Sequence, residues 1–160
     1  MRIRISIASQ TLQLLDRAGE ILMEYPISSS KYGLGEKEGS FKTPRGLHRV
    51  RAKIGKGMPK NTVFVKRRPT GEIYSEPLSE QFPERDWILT RILWLSGLEP
   101  GFNRHGDVDT MRRYIYIHGS PDSAIMGKPG SHGCIRMRND DVMDLFDRIE
   151  AGIPVEISNP

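Results

Sequence analysis

The chain has 160 residues, 37% of them hydrophobic and 28% charged, which is too apolar for a disordered polymer and suits one domain around one core. Its 24 Lys and Arg exceed its 20 Asp and Glu, yet the one short basic run, Lys66–Arg68, lacks the aromatic platforms of a nucleic-acid site, so no nucleic-acid partner is expected. The single Cys excludes an internal disulfide, and no segment is apolar for long enough to cross a bilayer, so no membrane insertion is expected.

The chain opens on RIRISI, where Ile3, Ile5 and Ile7 alternate with polar residues, the period of a half-buried strand. No apolar leader precedes it, so a cytoplasmic location is expected, with a periplasmic one the alternative if the sequence is a trimmed piece. Thr11–Leu15 and Ile21–Ile27 flank DRAGE and read as a hairpin. A polar, glycine-bearing loop follows from Ser28 to Gly46. Leu47–Ile54 alternates again, and Thr62–Val65 is a short strand. Residues 66–86 show no usable period and read as a long excursion, a candidate lid.

Trp87–Leu95 and Tyr114–His118 look like the most buried strands, joined by a loop-like segment. After Asn139, residues Val142, Leu145, Phe146 and Ile149 form an apolar stripe at helical spacing. Asn139 is the expected N-cap, with Asp140 and Asp141 complementing the helix dipole and Gly152 supplying a left-handed turn at the far end. IPVEI closes the chain as a strand. The pattern gives one domain over residues 1–160, mostly antiparallel β, with one or two helices.

The lone thiol lies in SHGCIRMRNDD, at the junction of a glycine loop and the helix. A Cys becomes a nucleophile when its surroundings favour thiolate and a base can manage the proton. His118 at the end of YIYIH and His132 beside Cys134 are candidate bases. Gly119, Gly127, Gly130 and Gly133 let this loop turn sharply and approach a substrate closely. Taken singly, each residue has a plainer reading: Cys as a small buried hydrophobe, His as a satisfied structural residue, Arg136 and Arg138 as solvated charges.

IHGSPD, the twelve residues separating His118 from Ser131, and SHGCIRMRNDD together resemble the L,D-transpeptidase catalytic domain, or YkuD domain. Thr43, Pro44 and Gly46 resemble that family's Thr-Pro-x-Gly segment. The resemblance covers nearly the whole chain and implies a β-sandwich-like fold. It also implies cysteine-dependent acyl transfer on murein stem peptides, at the bond between the L-centre of residue three and a terminal D-alanine. Cys134 would be the nucleophile and His118 the base, its ring oriented by the Gly119 carbonyl. His132 would line the site and help polarise it, and Ser131 would support the loop. Amides around Gly133 and Cys134 would form the oxyanion hole. Arg136 would anchor the loop or bind a substrate carboxylate. No cofactor and no metal are implied, and the partner would be a murein tetrapeptide or muropeptide.

With water as acceptor the enzyme would be an L,D-carboxypeptidase of murein recycling, the preferred expectation. With an amine it would be a cross-linking or D-amino-acid-exchanging L,D-transpeptidase. A zinc-dependent hydrolase built on His118, His132 and Cys134 is the remote alternative, since their spacing matches no compact zinc motif. A redox-sensing thiol would want a second Cys, and a non-catalytic murein-binding module would lack a motif residue.

Overall fold

A computed structural model describes all 160 residues. Strands β1 (Arg2–Ser6) and β2 (Thr11–Leu15) pair antiparallel, and β2 pairs with β3 (Ile21–Pro26). The alternation in RIRIS is realised directly: Ile3 and Ile5 are buried while Arg2 and Arg4 face solvent. The C-terminal strand β10 (Pro154–Ser158) lies parallel to β1, with Ile3 opposite Val155 and Ile5 opposite Ile157. Its other edge carries β4 (Gly46–Ile54), which leads to β7 (Ile88–Gly97), the longest strand.

The sheet forks at β7. On the edge shared with β4 it takes β5 (Thr62–Val65) and then β6 (Arg68–Ile73). Its other edge takes β8 (Tyr116–Ser120) and then, in parallel, β9 (Ile135–Arg138). Just beyond β3, Ser28 exchanges reciprocal 2.9 Å backbone hydrogen bonds with Arg136 of β9, so the mixed sheet curls back onto itself. The fold is mostly β with two helices, as the sequence indicated.

The inside of the curl is the core. A cluster of 20 buried residues joins Ile3, Leu12, Val50, Leu93, Ile117 and Ile135 with one face of helix α2 (Asn139–Arg148). That face is the expected stripe of Val142, Leu145 and Phe146, with Ile149 just past the helix end. Full burial of such side chains contributes about 1.5–3 kcal/mol each before the entropy of ordering is set against it.

Four local expectations are corrected. Residues 66–86 are not an unstructured excursion. They hold a hairpin turn at Lys66–Arg67, strand β6, and helix α1 (Glu76–Gln81), which is N-capped by Ser75 through a 3.2 Å bond from the Leu78 amide. No residue of α1 is buried, and β6 is an edge strand interrupted by Pro69 and Gly71, so neither imprints a hydrophobic period on the sequence. The strand carrying His118 runs from 116 to 120, which puts this histidine at the strand's centre. Asn139 is the first residue of α2 and is buried; Arg138 takes the N-cap position without a side-chain hydrogen bond. Gly152 has a left-handed φ of 98° but turns the chain into β10, three residues beyond the helix cap at Ile149.

Candidate active site

Strands β8 and β9 divide their side chains between two faces. Ile117, Ile135 and Met137 enter the core. Because side chains alternate, Tyr116 and His118 share the opposite face with Arg136, and His118 stands opposite Arg136 in the register. Extending that register by one residue sets Cys134 against Tyr116. The Tyr116 amide donates to Cys134 Sγ at 3.3 Å, and the thiol donates to the Tyr114 carbonyl at 3.5 Å. The sulfur packs on a second apolar cluster of Phe64, Ile92 and Tyr116 and remains partly exposed.

His118 is almost fully buried. Its Nδ1 lies 2.6 Å from the Gly119 carbonyl oxygen. A carbonyl only accepts, so Nδ1 carries the proton and Nε2 is the basic nitrogen. Burial pushes the Cys134 thiol up to about 12, and the Asp86 carboxylate adds to the rise, while the Tyr116 amide and the Arg136 and Arg113 guanidiniums oppose it. Burial also holds His118 below the ordinary imidazole range, against the Gly119 hydrogen bond and Asp86, which favour the cation. The resting pair is therefore a neutral thiol and a neutral imidazole. Attack by sulfur has to be coupled to loss of its proton.

The loop before Cys134 is held from below. Ser131 Oγ donates to the Cys134 carbonyl at 2.6 Å and accepts from the Gly133 amide at 3.2 Å; Thr43 Oγ1 donates to the Gly133 carbonyl at 2.9 Å. Gly133 has a φ of 128°, and a Cβ there would meet Ile115 Cδ1 at 3.3 Å, so glycine is required. With the Gly133 amide engaged by Ser131, the Cys134 amide is the better placed of the two expected oxyanion donors. Thr43 belongs to the Thr-Pro-x-Gly segment, and this bond gives that segment a physical reason to accompany the Cys motif.

His132, in contrast, is exposed. Its ring lies 6.1 Å from the Tyr32 ring and 6.3 Å from the Phe41 ring, so it extends an aromatic wall. Arg136 donates to the Gly130 carbonyl at 3.1 Å and pairs with Asp86 at 3.2 Å, contacts that tie the cysteine loop to the end of the 66–86 segment. His118, His132 and Cys134 do not gather into a group of three that would suit a metal ion.

Several contributors escaped sequence reasoning. Arg67, at the tip of the β5–β6 turn, lies over the Trp94 and Tyr114 rings at 4.9 and 4.6 Å and donates to the Tyr116 hydroxyl at 2.9 Å. Asp86 ties the far end of the same excursion to Arg136. The excursion is thus clasped to the face of the thiol at both ends. Arg113 donates to the Lys42 carbonyl at 2.7 Å and, with Arg112, Phe41, Tyr114, His132 and Glu38, lines a cleft of about 190 Å³ beside the cysteine loop. None of these has a sequence signature, because Arg67, Asp86 and Arg113 make these hydrogen bonds across 49 to 71 residues along the chain.

The family model for the YkuD L,D-transpeptidase catalytic domain matches residues 1–157. A Bacillus subtilis protein named "Putative L,D-transpeptidase YqjB" is 42% identical over 59 residues, which is 37% of this chain and 32% of that protein. Among solved structures, an L,D-transpeptidase from Mycobacterium smegmatis is 19% identical with a TM-score of 0.55, covering 98% of this chain and 57% of that one. L,D-transpeptidase 3 from Mycobacterium tuberculosis, solved with a faropenem-derived adduct, is 16% identical with a TM-score of 0.58, covering 98% of this chain and 59% of that one. The chain thus spans less than two thirds of the length of these relatives.

Proposed function

The chain belongs to the YkuD family of L,D-transpeptidase catalytic domains, and on that footing we propose that it transfers acyl groups of murein stem peptides through Cys134. The observation that carries this reading is the shared strand face. It holds a nucleophile at the end of one strand and, on the neighbouring strand, a histidine whose Nδ1 is fixed by its own neighbour's carbonyl. His118 Nε2 takes the thiol proton as the sulfur bonds to the carbonyl carbon of the third stem residue. The Cys134 amide receives the developing oxyanion. The C–N bond to D-alanine then breaks, the amine nitrogen takes the proton from His118, and a thioester remains.

Water resolving that thioester would make the protein an L,D-carboxypeptidase, the outcome we favour. Arg112 and Arg113 line the cleft beside the thiol against the single carboxylate of Glu38, which suits a substrate rich in carboxylates and disfavours a cationic amine. Amine capture is the second reading, favoured by the half-exposed Asp86 carboxylate near His118 and Cys134, where an ammonium group could rest. The hydrolytic reading goes with a cytoplasmic protein, and recovery of the native protein from the periplasm would count against it.

Incubating a stem tetrapeptide with and without excess D-amino acid, followed by mass spectrometry of the products, separates the two outcomes. Tripeptide should dominate in both; dominant exchange would favour the transpeptidase. Cys134→Ala should abolish turnover with the fold intact, and His118→Ala should slow acyl-enzyme formation far more than His132→Ala. Turnover retained in Cys134→Ala would end the enzymatic reading.

A further inference from the structure

The His118–Gly119 peptide lies against an irregularity in β7. Leu89 pairs with Gly119 and Ile92 pairs with His118, so a single step on β8 is matched by three on β7, and Thr90 and Arg91 leave the ladder. Thr90 has a φ of +74°, a genuine outlier for a β-branched residue, and it is fully buried. Three hydrogen bonds hold it there. Its hydroxyl donates to Asn139 Oδ1 at 2.7 Å and accepts from the Asn61 amide at 3.0 Å, and Asn139 Nδ2 donates to Asn61 Oδ1 at 2.9 Å. Gly119 sits on this assembly: a Cβ there would come within 2.6 Å of the Leu89 carbonyl oxygen and 3.1 Å of Thr90 Cβ.

We propose that Thr90, locked by Asn139 and Asn61, is a positioning residue that fixes the Gly119 carbonyl on His118 Nδ1 and so presents Nε2 as the base. Sterics explain why the bulge lies here. A regular ladder would place an ordinary strand residue behind Gly119. The bulge replaces it with a short hydroxyl-bearing side chain, and Asn139 ties that side chain to the first turn of α2. The helix that follows the cysteine strand thereby sets the geometry of the base. This role rests on the catalytic reading given to His118.

The test compares Thr90→Val, which keeps the branched shape and removes the hydroxyl, with Thr90→Ser, which keeps the hydroxyl. The readouts are single-turnover acylation by a stem tetrapeptide across pH and the Nδ1–H resonance of His118 by NMR. The Gly119 hydrogen bond favours the imidazolium, so weakening it should move the acid limb of the acylation profile to lower pH. The plateau rate should fall about tenfold, the worth of one ordinary buried hydrogen bond. The His118 Nδ1–H signal should broaden or shift, and Thr90→Ser should restore all three. If Thr90→Val does not fold, Thr90→Ala is measured in the same way. A lower plateau with an unmoved acid limb and an unchanged Nδ1–H signal would reduce Thr90 to a structural residue and overturn the proposal. An acid limb that persists in His118→Ala would overturn the catalytic reading itself, a result distinguishable from an acid limb lost there but unmoved in Thr90→Val.

Discussion

Acidification should destabilise this protein through His48 well before the low-lying carboxylates Glu36, Asp109 and Asp144 titrate. His48 is fully buried in β4. Nδ1 lies 3.0 Å from the Gly46 carbonyl oxygen, and Nε2 lies 2.9 Å from the Thr110 hydroxyl. Both contacts suit a neutral ring, and burial lowers the histidine from its ordinary 6.5 to about 4, outweighing the Gly46 hydrogen bond and the nearby Glu99 and Glu36. The unfolded chain therefore takes up the proton first. The stabilisation is fully present above the ordinary histidine value and is lost as pH falls from there toward the folded one. Going from about pH 7 to about pH 5, this linkage removes about 2 kcal/mol. Urea unfolding of the native protein and of His48→Gln at both pH values isolates the effect, because Gln cannot take up the proton. His118, also lowered by burial, acts in the same direction in both proteins and cancels in the comparison. Glu36, Asp109 and Asp144 are held below the usual carboxylate range, so their contribution is lost only at still lower pH. Equal acid losses in the native protein and His48→Gln would refute the reasoning.

Gly119→Ala drives a methyl group into the Leu89 carbonyl, which is backbone and cannot swing aside; the expected cost is roughly 3 kcal/mol by denaturant unfolding, and a change within about 0.5 kcal/mol would contradict the close packing behind His118. Arg67→Ala removes two cation–π contacts and the bond to the Tyr116 hydroxyl, so the β5–β6 hairpin should exchange its amide hydrogens faster while the β1–β2 hairpin is unaffected; unchanged protection across 62–73 would show that Arg67 does not clasp the excursion.

Period-two alternation made most of the sheet readable, because burial on one face leaves a direct trace in the order of residues. Ile3 and Ile5, and Leu12 and Leu14, are cases of it. The stripe of α2 was equally plain. What the pattern could not carry was structure without a buried face: α1 and β6 are held by a cap, a turn and edge pairing. In the site, Cys134, His118 and the loop glycines stood out because chemistry of this kind needs those residue types. Asn139 looked like a helix cap and instead anchors Thr90. Its side chain has the same donor and acceptor in either role, and only the approach of β7 decides between them. Arg113, Asp86 and Arg67 were silent for the same reason, since long polar side chains are placed by partners distant in sequence.

Backbone strain in this protein gathers around the thiol. Thr90 packs behind Gly119, Tyr114 (φ 56°) offers the carbonyl that accepts the thiol hydrogen bond, and Phe41 (φ 58°) sets the aromatic wall beside His132 while its own carbonyl accepts from Ser30 Oγ. Non-glycine residues in this region cost on the order of 1–3 kcal/mol each, so the three together approach the net stability of an ordinary domain. Such a cost persists only where other contacts over-determine the conformation, and here these come from the opposite face of the same strands. Odd-numbered residues of β8 and β9, Ile117, Ile135 and Met137, are fixed in the 20-residue core, while Tyr116, His118 and Arg136 stand on the site side. The core sets the backbone, and the backbone in turn aims the side chains of the candidate site. Substitutions at even-numbered positions then act on the site face and its own small apolar cluster rather than on the 20-residue core, whereas a one-residue slip of either strand would exchange the two sets and destroy both.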